Sequence, residues 1–294
     1  MRLTLRTRLD LNSAMSPTVD HASPAARIAF VGGGNMARSL IGGLVRAGAP
    51  AAHIAVAEPN EELRAGLARD FGVATYVQGV DAIRDVEVVV LAVKPQVMQP
   101  VCESLREPTR KTRPLIISIA AGIRIDQIER WLGGRAIVRC MPNTPALIGA
   151  GATGLCANER VSPAQRDLAR NILGAAGTSE WIAEEALMDT VTALSGSGPA
   201  YFFLLVEALE DAAVAQGLPR EAARALATQT CLGAGRMLRE SGEAPATLRQ
   251  RVTSPHGTTQ AALESFDADR LRAIVARAVA AATKRGQELS AQFD

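Results

Sequence analysis

Aromatic residues are scarce. Phe, Trp and Tyr make up only 3% of the chain, so there is no stock of rings for stacking on unpaired bases. Charge of one sign is missing too: 32 Lys and Arg against 30 Asp and Glu leave a formal net charge of +2. That balance gives no electrostatic case for nucleic acid or an anionic membrane surface. No apolar run approaches the roughly 20 residues that a bilayer-spanning helix requires. Histidines number three and cysteines four. Cys102, Cys140, Cys156 and Cys231 form no close pair, and His21, His53 and His256 lie far apart, so the sequence predicts no metal site. Four reduced, mostly buried thiols fit a cytoplasmic protein. Residues 1–26 lack the continuous apolar stretch of a secretory signal and are expected to be a disordered leader, with Met15 as an alternative start.

What the chain has is a regular alternation. RIAFVG (27–32), HIAVAE (53–58), VEVVVLAV (86–93), PLIISIAA (114–121) and AIVRCMP (136–142) are short apolar runs rich in β-branched residues. Such runs mark strands buried on both faces. Helical patterns stand between them: 35–47, with Met36, Leu40 and Leu44 on one face, and 60–72, stopped by Gly72. Strands alternating with helices predict an α/β Rossmann domain with a doubly wound, mostly parallel sheet over 27–184. From Glu185 onward no strand is expected. Helices are predicted over 201–217, 219–242 and 270–289, so residues 185–294 form an all-α carboxyl-terminal domain.

The loop FVGGGNMA places Gly32, Gly34 and Ala37 directly after a strand and at the start of a helix. There the first glycine permits a tight turn, the second lets backbone approach a pyrophosphate, and the small third residue lets helix pack on strand. The bland alternative is a glycine turn with no ligand. Glu58 ends the second strand, where an acid commonly bonds the adenosine ribose 2′-hydroxyl; that favours NAD(H), though a solvated strand-end charge is the alternative and the choice against NADP(H) stays open. AVKP (92–95) ends the most buried strand and puts Lys94 at the rim of the expected crevice, or simply on the surface. In MPNTP (141–145), Asn143 and Thr144 serve either a ligand or the turn.

The helical half carries two punctuated loops, LSGSGPAY (194–201) and TSPHGTT (253–259), both before helices. Free N–H groups and hydroxyls at a helix mouth suit a carboxylate. Thr258 and Thr259 serve equally well as plain N-caps.

FVGGGNMA, LAVKPQ, ISIAAGI, RCMPNTPALIGAG, LSGSGPAYFF, ALEDAAVAQGLPREAA and TSPHGTTQAALESF, in this order from about Arg27 to Leu289, resemble pyrroline-5-carboxylate reductases. The resemblance implies NAD(P)H-dependent reduction of 1-pyrroline-5-carboxylate to L-proline by a homodimer, with a ring of dimers as an open extension. It implies that Gly257, Thr258 and Thr259 hold the substrate carboxylate, that Thr259 bonds the ring nitrogen as the catalytic group, and that Ser254 and Ser197 help build the pocket. It implies dinucleotide contacts from Val31, Gly32, Gly33, Gly34, Asn35, Met36, Glu58, Asn60, Ala92, Val93, Lys94 and Pro95. Two positions depart from the family pattern: His256 stands where a glycine is usual, and Glu58 where NADPH-preferring members often carry a small hydroxyl residue. The rival readings are another imine or β-hydroxyacid dehydrogenase, which would be expected to carry a Lys or Asp base, and a nucleotide-binding regulatory protein without catalysis.

Overall fold

A computed structural model of the chain describes residues 26–293. The expected leader, Ala26 apart, lies outside the described residues. Strand β1 (Ile28–Val31) leads through helix α1 (Asn35–Arg46) to β2 (Ile54–Ala57), α2 (Glu61–Phe71), β3 (Ala74–Tyr76), α3 (Gly79–Ala82) and β4 (Val88–Leu91). Then follow α4 (Met98–Thr112), β5 (Leu115–Ser118), α5 (Ile125–Leu132), β6 (Ile137–Met141), β7 (Gly151–Ala157), α6 (Pro163–Gly174) and β8 (Gly177–Trp181). The strands form one eight-stranded sheet in the order β3-β2-β1-β4-β5-β6-β7-β8. Every neighbouring pair is parallel except β6 and β7.

The two-faced burial of β1 shows why the β-branched runs predict this sheet. Ile28 and Phe30 enter one core with Leu40, Leu44, Val56 and Val90. Ala29 and Val31 enter the other with Leu91, Met98 and Leu105. Side chains alternate across a strand, so a strand covered on both faces must be apolar at every position. Local stop signals hold as well. Gly72 closes α2 in the left-handed conformation (φ 69°), and Asn60 opens it by accepting from the Leu63 amide (3.0 Å).

Strands β3, β7 and β8 escaped the sequence pattern. β7 reads GATGLCA and β8 GTSEW, short of β-branched residues and broken by glycine. Their glycines answer to packing. A Cβ on Gly154 would sit 2.6 Å from a Val191 methyl, and one on Gly177 (φ 151°) 2.0 Å from the Gly151 carbonyl oxygen. Close backbone approach, not periodicity, selects these residues.

Beyond Trp181 the described residues contain helices only: α7 (Met188–Val191), a π-helical turn (Thr192–Gly196), α8 (Gly198–Ala215), α9 (Arg220–Glu240), α10 (Pro245–Arg251), α11 (Thr258–Ala268) and α12 (Leu271–Ser290). Helix α8 starts three residues earlier than expected because Gly198 and Pro199 form its first turn, where the fixed φ of proline suits the helix. Helix α10, unforeseen, is seven residues long and begins on Pro245.

Helix α12 returns to pack on α7 and the π-helical turn, and the Gln127 side chain donates to the Ser290 carbonyl (3.2 Å). Arg139 of β6, 4% exposed, reaches Glu185 (3.1 Å) and Asp189 (3.4 Å), which ties the sheet to the helices by a buried charge cluster. Helices α8 and α9 pack on each other, and buried Glu210 binds Arg220 (2.8 Å) and Arg224 (3.0 Å) between them. Their outer faces stay open: Phe202, Phe203 and Leu204 are 60%, 67% and 65% exposed.

Candidate active site at the carboxyl edge of the sheet

Three strand ends meet at the glycine loop. The Gly32 amide donates to the Ala57 carbonyl at the end of β2 (2.8 Å), and the Ala92 amide after β4 donates to Val31 at the end of β1 (2.8 Å). Strand β1 lies between β2 and β4, so the chain leaves it toward opposite sides of the sheet; this is the switch point outside which open α/β sheets bind ligands.

Each glycine of the loop has its own reason. Gly32 has φ 104°, and a Cβ there would lie 2.4 Å from the Ala92 carbonyl oxygen. Gly33 is crowded by Leu67 (2.8 Å) and the Glu58 side chain (3.0 Å). A Cβ on Gly34 would meet nothing within 4 Å, so this glycine opens onto space rather than protein. Gly34 is also the N-cap of α1, with no side-chain cap hydrogen bond. The first-turn amides of α1, those of Asn35 and Met36 included, therefore keep their donors for an anion. Ala37 is buried in the core at the helix–sheet contact, as its place in the loop requires. The residues present fit a dinucleotide pyrophosphate.

Glu58 sits just past β2. Its carboxylate accepts from the Gly33 amide (2.8 Å) and from the Asn60 amide (2.9 Å), which pins it at the ribose end of the loop. The Arg64 guanidinium donates to the Glu58 and Pro59 carbonyl oxygens (2.8 and 2.7 Å). Lys94 is exposed and precedes the short 3-10 turn Pro95–Val97, at the rim of the switch point.

Asn143 serves the protein. Its amide donates to the Ser195 carbonyl (2.9 Å) and its oxygen accepts from the Ala152 amide (2.9 Å). It thereby fastens the π-helical turn to the sheet edge. That turn is also held by Ser195 Oγ donating to Val191 (3.0 Å) and by the Tyr201 hydroxyl donating to Ala193 (2.9 Å). Single π turns inside helices frequently accompany functional sites. Ser197 follows directly and is half-buried.

In TSPHGTT the chain makes a tight turn, with the Gly257 amide donating to the Ser254 carbonyl (3.0 Å). A Cβ on Gly257 would lie 3.1 Å from that carbonyl oxygen. His256 has φ 58°, in the left-handed region that glycine adopts without steric cost. Its amide is secured by the Gln260 side chain (2.8 Å) and its residue is exposed. Gly257 is the N-cap of α11 and makes no side-chain cap bond, so Thr258 and Thr259 lie inside the first turn. The plain N-cap reading of the two threonines therefore does not hold.

A switch-point crevice, a glycine loop opening onto the free end of a helix and a strand-end carboxylate define a nicotinamide-dinucleotide oxidoreductase. Residues 27–122 match the family described as NADP oxidoreductase coenzyme F420-dependent, and residues 185–289 the one described as pyrroline-5-carboxylate reductase dimerisation. The pyrroline-5-carboxylate reductase of Pseudomonas aeruginosa is 52% identical over 268 residues, covering 91% of this chain and 98% of that protein. The solved pyrroline-5-carboxylate reductase of Coxiella burnetii is 43% identical with a TM-score of 0.89, over 90% of this chain and 99% of that one. The Plasmodium falciparum pyrroline carboxylate reductase, solved with NADP bound, is 29% identical with a TM-score of 0.78, over 90% of this chain and 98% of that one. The chain belongs to the pyrroline-5-carboxylate reductase family. The alternative of a different imine or β-hydroxyacid dehydrogenase is not favoured.

Four features of this edge were not legible in the sequence: the Arg64 contacts, the Asn143 clasp, the π-helical turn and the Arg139 cluster. Asn143 and Ser195 are 52 residues apart, and no local pattern announces such a pair.

Proposed function

We propose that this chain reduces 1-pyrroline-5-carboxylate to L-proline with NADH or NADPH. In this reading residues 27–184 bind the dinucleotide and 185–294 form the helical domain for dimerisation and substrate. Residues Val31–Met36 by their backbone, Glu58, Asn60 and the stretch 92–95 hold the dinucleotide. A reduced nicotinamide bound there supplies the hydride.

The chain's own work is positioning and charge stabilisation. The amides and hydroxyls of Thr258 and Thr259 at the α11 mouth, with Gly257 as its close-approaching cap and with Ser254, hold the substrate carboxylate. The Thr259 hydroxyl bonds the ring nitrogen, which gains electron density as the C=N carbon accepts hydride. The nitrogen takes up one proton, drawn from solvent, to become the secondary amine. Ser197 forms the facing wall. No strongly basic side chain is required, because an imine needs no proton removed to be reduced.

The observation that carries this reading is the α11 mouth, where two threonines stand in the first helical turn with the cap role left to Gly257. The glycine loop and this mouth lie on different parts of the chain, and α8 exposes apolar residues on most of its surface. A helix apolar nearly all round demands a partner face. A second copy supplies it, so the protein is a homodimer; a ring of dimers is the higher assembly, to be read by sedimentation.

The test is a steady-state assay of reduced-nicotinamide consumption with 1-pyrroline-5-carboxylate beside a β-hydroxy acid. Turnover of the cyclic imine alone is expected. Thr259→Ala should lower kcat about a hundredfold, the scale for removing one transition-state donor, with dinucleotide binding held within about twofold. Equal losses of both would remove Thr259 from its role, and no imine turnover with either dinucleotide would sink the reading.

A further inference from the structure

We propose that Glu58 makes this protein selective for NADH, the dinucleotide without a 2′-phosphate; the inference rests on the dinucleotide site read above. Two hydrogen bonds fix where this half-buried carboxylate stands. The Gly33 and Asn60 amides take one lone pair on each oxygen. An ionised carboxylate offers about four acceptor directions, so about two remain for a ligand. A pair of vicinal ribose hydroxyls provides two donors. A phosphate dianion in the same place provides none and meets a fixed negative charge across a short distance.

The surroundings add to the discrimination. The two guanidinium groups nearby already have hydrogen-bond partners. The Arg64 guanidinium is folded onto the Glu58 and Pro59 carbonyl oxygens. Arg38 pairs with Asp70 and lies over the Phe71 ring, 5.0 Å from its centre. The amino-terminal end of α2, the other attraction for an anion nearby, is closed by the Asn60 side chain. Its first turn carries Glu61 and Glu62, two more negative charges. Three carboxylates therefore lie at this end of the crevice. The selectivity is decided by the one that is held rigidly, because the exposed pair is screened by salt.

The experiment is an equilibrium titration by nicotinamide fluorescence, with NADH and NADPH separately, on the purified full chain and three variants. The unaltered protein should bind NADH at least about tenfold more tightly, the scale of one charge-assisted hydrogen bond gained or lost. Glu58→Ser should bring the two constants within about threefold of each other or invert them. Glu58→Gln keeps an acceptor oxygen for the Gly33 amide, so the loop is retained, and it should still narrow the ratio. Arg64→Ala should leave the ratio within about twofold. A defect of the loop alone would weaken both dinucleotides by the same factor, so the ratio separates selectivity from folding. Equal or tighter NADPH binding by the unaltered protein overturns the inference. So does a selective loss of NADPH in Arg64→Ala, which would make that guanidinium a phosphate ligand. NADPH-preferring binding with active imine reduction sinks only this inference. NADH-selective binding without imine reduction sinks only the activity proposed above.

Discussion

The two halves of the chain bury their apolar residues in opposite ways. In the sheet half, β1, β4 and β5 are buried at every position, and helices cover both faces. In the helical half, α8 is 18 residues long and buries only Gly198 and Glu210 within the chain. One half is finished by its own sequence. The other keeps its apolar surface for something outside the chain. The comparison teaches where the molecule leaves apolar surface for the proposed second copy: on α8 and α9, away from the glycine loop.

That contrast can be broken at several points. The largest effect is expected from Phe203→Asp on the exposed face of α8. A charge in the centre of the proposed subunit contact, repeated by two-fold symmetry, should cost about 4 kcal/mol of association, read as a shift to monomer in sedimentation. Dinucleotide binding should persist, because the glycine loop belongs to the other half. An unshifted dimer would place the subunit contact elsewhere. Arg139→Met comes next. It strands Glu185 and Asp189 without their counter-charge at the junction of the halves, and should lower stability by about 3 kcal/mol in denaturant unfolding. A neutral result would mean that the two carboxylates find water.

Gly32→Ala is a smaller lesion confined to the sheet half. It forces a side chain into φ 104° and against the Ala92 carbonyl, at a cost on the order of 2 kcal/mol. It should weaken dinucleotide binding while the oligomer is unchanged. The smallest effect is a pH dependence in the helical half. Hydrogen bonds from Arg224 and Arg220 hold the Glu210 carboxyl below the ordinary glutamate range. A depressed acid stabilises the fold above its unfolded pKa and loses that contribution as the pH falls through its folded value. Glu210→Gln should therefore lower the Tm at neutral pH, and the difference should vanish only in acid. A difference that grew as the pH fell would reverse the assignment.

Three of the four thiols, Cys102, Cys140 and Cys156, are buried in the finished half, whereas Cys231 lies half-buried on α9. Burial pushes Cys102 up to about 12 and raises Cys140 and Cys156 as well. Burial of this kind disfavours the thiolate, so these side chains serve the packing. Among the described residues no group of three His, Cys, Asp or Glu is placed to hold a metal ion, and no helix is long and apolar enough to cross a membrane.

Legibility followed the range of the forces involved. The strands Ile28–Val31, Val88–Leu91 and Leu115–Ser118 were readable because burial on two faces writes itself as an unbroken apolar run. Gly72 and Gly32 were readable because a left-handed turn is a local demand. His256 stood out only against the family pattern, in which glycine is usual; its left-handed φ of 58° came from the structure. Strands β7 and β8 were not readable, because their glycines answer to groups packed against them from elsewhere in the chain, the Val191 side chain on Gly154 and the Gly151 backbone on Gly177. Thr258 and Thr259 were left between cap and ligand, since one residue of register decides which position is the N-cap.

Sequence alone determined the alternation of strand and helix, the glycine loop and its ligand class, and the family, because each is written in contiguous residues whose spacing is itself the physical constraint. Only the tertiary structure decided that Glu58 is pinned by two amides while Arg64 is folded away, that Asn143 clasps the π-helical turn, and that Arg139 joins the halves. Those facts depend on distances between segments far apart in the chain, and such distances exist only once the sheet has brought the strand ends together.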